Sequence, residues 1–259
     1  MRIALGIEYD GSGFSGWQFQ EGVPTVQRCL EAALSKVADH PVRVICAGRT
    51  DAGVHATGQV VHFDSDAPRA MRSWVYGANA NLPRGVSVLW AQTVHSGFHA
   101  RFAALRRSYR YIFFNRSVRP TFLFERVTWE YRPLDAERMA QAARPLLGEH
   151  DFSSYRALEC QAKHPVRRLY CLNVTRQREL VILDVQANGF LHHMVRNIAG
   201  VLSAIGAGER PVEWASELLA QRDRRAGGVT APPHGLYLTR VEYPDEFELP
   251  AGDEPRLPV

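Results

Sequence analysis

The chain has 259 residues, 46% of them hydrophobic, enough for one large domain or two modest ones with a real core. No apolar run reaches the length of a membrane span, and the first residues lack a signal peptide's long apolar segment, so a cytoplasmic protein is expected. The 31 basic and 27 acidic residues leave a net charge of +4, a weak pointer to a polyanion partner, and Cys29, Cys46, Cys160 and Cys171 form no C-x-x-C pair, which argues against a zinc site or disulfide framework.

Ile3, Leu5, Ile7 and Tyr9 alternate with Arg2, Ala4, Gly6 and Glu8, the period of a half-buried strand. Gly11-Ser12-Gly13-Phe14-Ser15-Gly16 then has the form of a dinucleotide-binding loop, which needs a helix opening on its last glycine. Gly22 and Pro24 follow and break any such helix, so the cofactor reading is rejected. Val26, Cys29, Leu30, Ala33, Leu34 and Val37 predict a helix over 25–38. Apolar runs at 42–46 and 60–63 predict two strands around a polar, glycine-bracketed segment. A helix is expected over 68–80, with proline in its first turn, and a strand over 86–94.

A strand opens at Ser108-Tyr109-Arg110-Tyr111-Ile112. Met139, Ala142, Ala143, Leu146 and Leu147 share one face of a helix over 135–147, with Pro145 in conflict near its end. Strands over 166–176 and 180–187, a helix over 191–207 and a last strand over 235–242 complete the chain. The order β-α-β-β-α-β thus occurs twice, and each half is ferredoxin-like in its element sequence. Without an evident linker, the halves are expected to share a mainly antiparallel central sheet in a mixed α+β fold, with a site in the cleft between them. The expected division is 1–105, 106–245 and a frayed, proline-rich and acidic tail over 246–259.

Three stretches hold candidate chemistry. In Gly48-Arg49-Thr50-Asp51-Ala52-Gly53, Asp51 is either a turn residue bonding its own backbone or a catalytic carboxylate on a tight loop. Arg49 is two residues away, so both charges can meet one substrate. On the helix over 191–207, Leu191, Met194, Val195, Ile198, Val201, Leu202 and Ile205 form the core stripe. His193, Arg196, Asn197 and Gly200 lie opposite, as a solvated face or a functional one. His192 and His193 would point about 100° apart on a helix and are not assigned as metal ligands. Tyr109 and Tyr111 share a strand face, as a buried pair or as a platform for a base.

The motifs Tyr9-Asp10-Gly11, Gly16-Trp17-Gln18, GRTDAGVHA over 48–56, Phe98-His99-Ala100-Arg101-Phe102, Ser108-Tyr109-Arg110-Tyr111, 147–155, Phe190 with Met194-Val195-Arg196 and Ile198, and 231–238 together resemble the TruA family of tRNA pseudouridine synthases. The resemblance runs from Tyr9 to Tyr243 and implies the pseudouridine synthase fold. It implies a homodimeric isomerase that converts uridine to pseudouridine in the anticodon stem-loop of tRNAs, at positions 38, 39 and 40, without cofactor or metal. Carried over residue by residue, it makes Asp51 the catalytic carboxylate, Arg196 its partner and Tyr109 the active-site tyrosine. It also implies substrate contacts for Arg49, His55 and Leu238, with Leu238 lining the base pocket and Arg49 filling the flipped nucleotide's gap or holding a phosphate. Two other classes are weaker. An RNA-binding module lacks the RNP1 pattern, and a nucleoside hydrolase lacks a second carboxylate near Asp51.

Overall fold

The computed structural model describes residues 1–250. Its alternating N-terminal run is β1 (Arg2–Tyr9), but the strand is covered on both faces rather than one. Ile3, Leu5 and Ile7 are fully buried, and so is Ala4 on the other face. The second face is small because it is roofed. Ala4 packs with Ala47, Val60, Val94, Phe98 and Ala100, with Trp90, Val241, Tyr243, Phe247 and Leu249 around them. Phe247 and Leu249, in the tail expected to fray, therefore lie against a core. Phe98 meets Tyr243 and Phe247, each with ring centroids 5.1 Å apart. Positions 251–259 of the expected tail lie outside the described residues.

The chain divides into two compact units: Met1–Arg106 with the residues from Tyr237 onward, and Arg107–Leu236. The first unit continues with α1 (Val26–Ala38), β2 (Ile45–Cys46), β3 (His55–Asp64), α2 (Met71–Asn81) and β4 (Val86–Val94). Its antiparallel sheet has the order β4-β1-β3, with β2 on β3. Thr25 caps α1, whose Val26, Leu30, Ala33 and Leu34 are buried. On α2, Trp74 is buried against Phe63.

The strand expected over 42–46 is only β2. Its earlier amides are satisfied by α1 instead: Val42 N–H donates to Ser35 Oγ (2.9 Å) and Val44 N–H to Glu31 Oε1 (3.1 Å). Glu31, 6% exposed, also accepts from Gln27 and from Arg43. A buried donor needs a partner, and here a helix side chain supplies it in place of a neighbouring strand.

The second unit holds β5 (Arg106–Asn115), β6 (Thr128–Glu130), α3 (Ala136–Ala143), β7 (Gly148–Asp151), β8 (Val166–Gln177), β9 (Leu180–Ala187), α4 (Met194–Gly206) and α5 (Trp214–Gln221). Its sheet runs β5-β9-β8-β7, all antiparallel, with β6 added in parallel at the end of β5. α3 stops at Ala143 and tightens into a 3-10 turn over Arg144–Leu146, because Pro145 has no N–H to continue it.

The last strand, β10 (Leu236–Glu242), was expected in the second half, yet from Tyr237 it belongs to the first unit. The reason is pairing. β2 occupies β3 only at Val61 and His62, and Tyr237 and Leu238 pair in parallel with His55 and Ala56 further along. Each unit is thus mixed α+β with a mainly antiparallel sheet. Among the described residues no helix is long and apolar enough to cross a membrane.

Candidate active site

Asp51 lies on the loop between β2 and β3, and elements of its own unit hold that loop from three directions. From β1, Tyr9 Oη and Thr50 Oγ1 share a hydrogen bond of 2.8 Å. From the stretch before α1, Trp17 N–H donates to Thr50 O (3.0 Å) and Gly53 N–H reaches Phe14 O (3.4 Å). From β3, the fully buried Gln59 donates Nε2 to Gly48 O at 2.6 Å. The loop also closes on itself, Val54 N–H donating to Asp51 O (3.1 Å).

The rejected cofactor glycines find their use here. Gly16 has φ +90, and a Cβ there would lie 2.9 Å from Thr50 O and 3.1 Å from Ala52 N. Only glycine fits that conformation and that approach. The first and last glycines of the G-x-G-x-x-G stretch therefore let its backbone approach the segment around Asp51, Gly11 at Val54 and Gly16 at Thr50.

Asp51 itself is half-buried, and Arg49 is exposed. His55 is 2% exposed. Its Nδ1 accepts from Gly11 N–H at 3.0 Å, and its ring stacks on Tyr237 with centroids 4.6 Å apart. Asp10 Oδ1 lies 3.2 Å from the same nitrogen. His55 thus props the Asp10–Gly11 turn, where a substrate contact was expected. Leu238 has 0% exposure beside Ala56, so it is core rather than open pocket lining.

In the second unit, periodicity could not separate Tyr109 from Tyr111, and the structure does. Tyr111 is fully buried, with its hydroxyl bonded to Thr128 Oγ1 (2.6 Å) and donated to Pro232 O (2.7 Å). Burial pushes its phenol well above the ordinary tyrosine range, against the opposing effects of Thr128 and Arg196. It is structural. Tyr109 is 9% exposed and meets Phe190 edge to face, centroids 5.0 Å apart.

Arg196 lies in the first turn of α4, half-buried, with Nε donating to Ala231 O (2.8 Å). The helix begins three residues later than expected, since His193 adopts a left-handed conformation (φ 61) at its start. His192 and His193 therefore precede the helix, and their rings lie against each other with centroids 4.0 Å apart instead of diverging.

The face of α4 opposite the core stripe is not solvated. Asn197 is 2% exposed and Gly200 is buried. What covers it was missed: the segment from Arg224 to Ala231, about thirty residues downstream, which no helical period in the sequence reveals. Ala231 falls in the 231–238 motif, but nothing in that motif says it touches α4. Asp51, Arg49 and His55 thus belong to one unit, and Arg196 and Tyr111 to the other, where Tyr109 stands beside Phe190.

A family model described as tRNA pseudouridine synthase matches residues 6–103 and 142–244. Asp51 and Arg196 fall inside the matched stretches and Tyr109 falls outside them. The chain is 62% identical over 250 residues to the tRNA pseudouridine synthase A of Pseudomonas aeruginosa, covering 96% of this chain and 88% of that one. It is 61% identical over 255 residues to the protein of the same name from Nitrosococcus oceani, 98% of each. With that of Alcanivorax borkumensis the identity is 58% over 259 residues, 100% of this chain and 96% of the other. Matches of this extent leave one conclusion: the chain belongs to the tRNA pseudouridine synthase family.

Proposed function

We propose that the chain isomerises uridine to pseudouridine in the anticodon stem-loop of tRNAs, at positions 38, 39 and 40, with Asp51 as the catalytic carboxylate. The observation that carries the reading is the Asp51 motif on a loop braced by Tyr9, Trp17 and Gln59, within a chain of this family. The reaction breaks the N1–C1′ bond, turns the uracil and joins C5 to C1′. C5 gives up a proton and N1 gains one, so the exchange is redox-neutral. A uridine in a stem must first be unstacked and flipped out.

Asp51 acts on the flipped nucleoside as nucleophile or acid–base group. Arg196 pairs with it, its planar guanidinium aiming the carboxylate oxygens. Tyr109 stacks on the base and takes part in removing the C5 proton. The exposed Arg49 fills the gap left by the flipped nucleotide or holds a phosphate. His55 and Leu238 act from beneath the loop. The protein works in the cytoplasm as a homodimer.

The test is incubation with unmodified tRNA, followed by nucleoside analysis. Pseudouridine at the three positions is expected. Free uracil would mean a hydrolase, and binding with no product would mean a non-catalytic RNA-binding protein.

A further inference from the structure

The segment between α5 and β10 has no part in the scheme above, yet it is fastened to α4 by polar groups. Arg224 Nη2 donates to Asn197 Oδ1 (3.1 Å), Thr230 Oγ1 (3.1 Å) and Gly228 O (3.2 Å), and Nη1 donates to Gly228 O as well (3.2 Å). Thr230 Oγ1 in turn donates to Asn197 Oδ1 at 2.6 Å, and Asn197 Nδ2 donates to Tyr155 O at 2.7 Å. Arg224 Nη1 and Nη2, Thr230 Oγ1 and Asn197 Nδ2 thus each donate within one connected chain of bonds, and bonds linked in this way reinforce one another.

Next to it, Arg196 and Ala231 bond reciprocally. Ala231 N–H donates to Arg196 O (3.1 Å), and Arg196 Nε donates to Ala231 O (2.8 Å). One turn along, Gly200 leaves room for the Val229 carbonyl; a Cβ there would fall inside that oxygen's contact radius. Val229 turns its side chain outward, 84% exposed. Apolar packing therefore does not hold the strap at this point. Its backbone is pressed onto α4, and polar side chains keep it there.

We infer that Arg224 is a positioning residue for Arg196. It fixes the strap through Asn197 and Thr230, and the strap's Ala231 carbonyl holds Arg196 Nε. An Nε bond sets the plane of a guanidinium, and with it the direction of the fork. The inference rests on the reading that Arg196 pairs with the catalytic carboxylate. A misplacement of about 1 Å in such a group can cost about a hundredfold in rate.

The experiment measures single-turnover pseudouridine formation, tRNA affinity and Tm for Thr230→Val, Thr230→Ser, Arg224→Gln and Gly200→Ala. Each is made in the wild-type chain and in Arg196→Lys, whose side chain has no Nε to bond Ala231. Thr230→Val and Arg224→Gln are expected to slow the single turnover about tenfold, the worth of about one hydrogen bond, with affinity unchanged. Thr230→Ser keeps the hydroxyl and should retain the rate. Gly200→Ala removes no polar side chain and favours helix, yet should slow the reaction because its Cβ would push the Val229 carbonyl, and the strap with it, away from α4. In the Arg196→Lys background the same changes should add little.

Losses that multiply in full there, or a lower Tm at an unchanged rate, would overturn the inference and leave a structural lock. If Gly200→Ala fails to fold, the Thr230 pair decides alone. If Arg196→Lys by itself leaves the rate untouched, the pairing of Arg196 with the carboxylate falls, and this inference falls with it. That outcome is distinct from a slow Arg196→Lys enzyme whose strap variants behave additively.

Discussion

Asp51→Asn is nearly isosteric, keeps a polar group on the same braced loop and removes the nucleophile and base. We predict a folded protein that still binds unmodified tRNA and forms no pseudouridine; substantial product would remove Asp51 from its role. Tyr109→Phe keeps the ring beside Phe190 and removes the hydroxyl. Binding should persist and turnover should fall strongly, whereas near-normal turnover would reduce Tyr109 to a stacking surface. Tyr111→Phe should act on stability instead. It strips a fully buried hydroxyl from Thr128 and Pro232, a loss of about 1–3 kcal/mol in urea unfolding. His62 is a further residue with a physical consequence. It is 2% exposed and its Nδ1 accepts from Ala100 N–H at 3.1 Å. Burial first, then His99 and Arg2, push its pKa from 6.5 down to about 4, with Asp64 opposing. The folded state therefore refuses a proton that the unfolded chain takes up. Its contribution is complete above pH 6.5 and is lost as pH falls toward about 4. The shift corresponds to at most about 3 kcal/mol. His62→Gln should flatten the stability profile between those limits; an unchanged slope would show that other groups set it.

At the level of elements, what the sequence revealed and what it hid have one cause: who supplies the hydrogen bonds. Long runs, α1, β4, β8 and β9, were legible because each is long enough for a helical period or an apolar, β-branched run to show in its own residues. β6 and β7 were not, being three and four residues long, too short for a period to form. Nor was α5, whose eight residues begin without a side-chain cap. The start of α4 was misplaced because nothing in His192-His193 announces a left-handed residue. The candidate site divides the same way. Asp51 and Arg196 stood out in their motifs. The Arg224–Asn197–Thr230 lock did not, since its members are scattered and become meaningful only once the strap lies on α4. Glu31 offers a test of this view. Its carboxylate replaces a strand partner for Val44 N–H at 3.1 Å. Glu31→Ala should strand that amide and cost about 1–3 kcal/mol, while Glu31→Gln keeps an acceptor and should cost less. Equal unfolding midpoints for wild type and Glu31→Ala would show that the amide finds another partner.

At the level of the whole molecule, a net charge of +4 on 259 residues is too small to draw a tRNA by itself. Affinity must come from where the arginines stand. In the first unit two of them lie over exposed rings: Arg101 is 5.6 Å from the centre of Phe102, which is 76% exposed, and Arg72 is 5.0 Å from that of Tyr76, 63% exposed. Such a pair offers a charge for a phosphate and a flat face for a base or ribose. Each phosphate neutralised releases counterions, so the logarithm of affinity should fall linearly with the logarithm of salt concentration. We predict a steep fall between about 50 and 200 mM salt. We further predict that Arg101→Gln lowers the slope by about one unit while weakening all tRNAs alike, with turnover of saturated enzyme preserved. A flat salt response would mean that binding rests on uncharged contacts and that the arginines are ordinary surface. A normal slope in Arg101→Gln would move the footprint to other residues, with Arg49 and the Arg72 pair next to be tested in the same way.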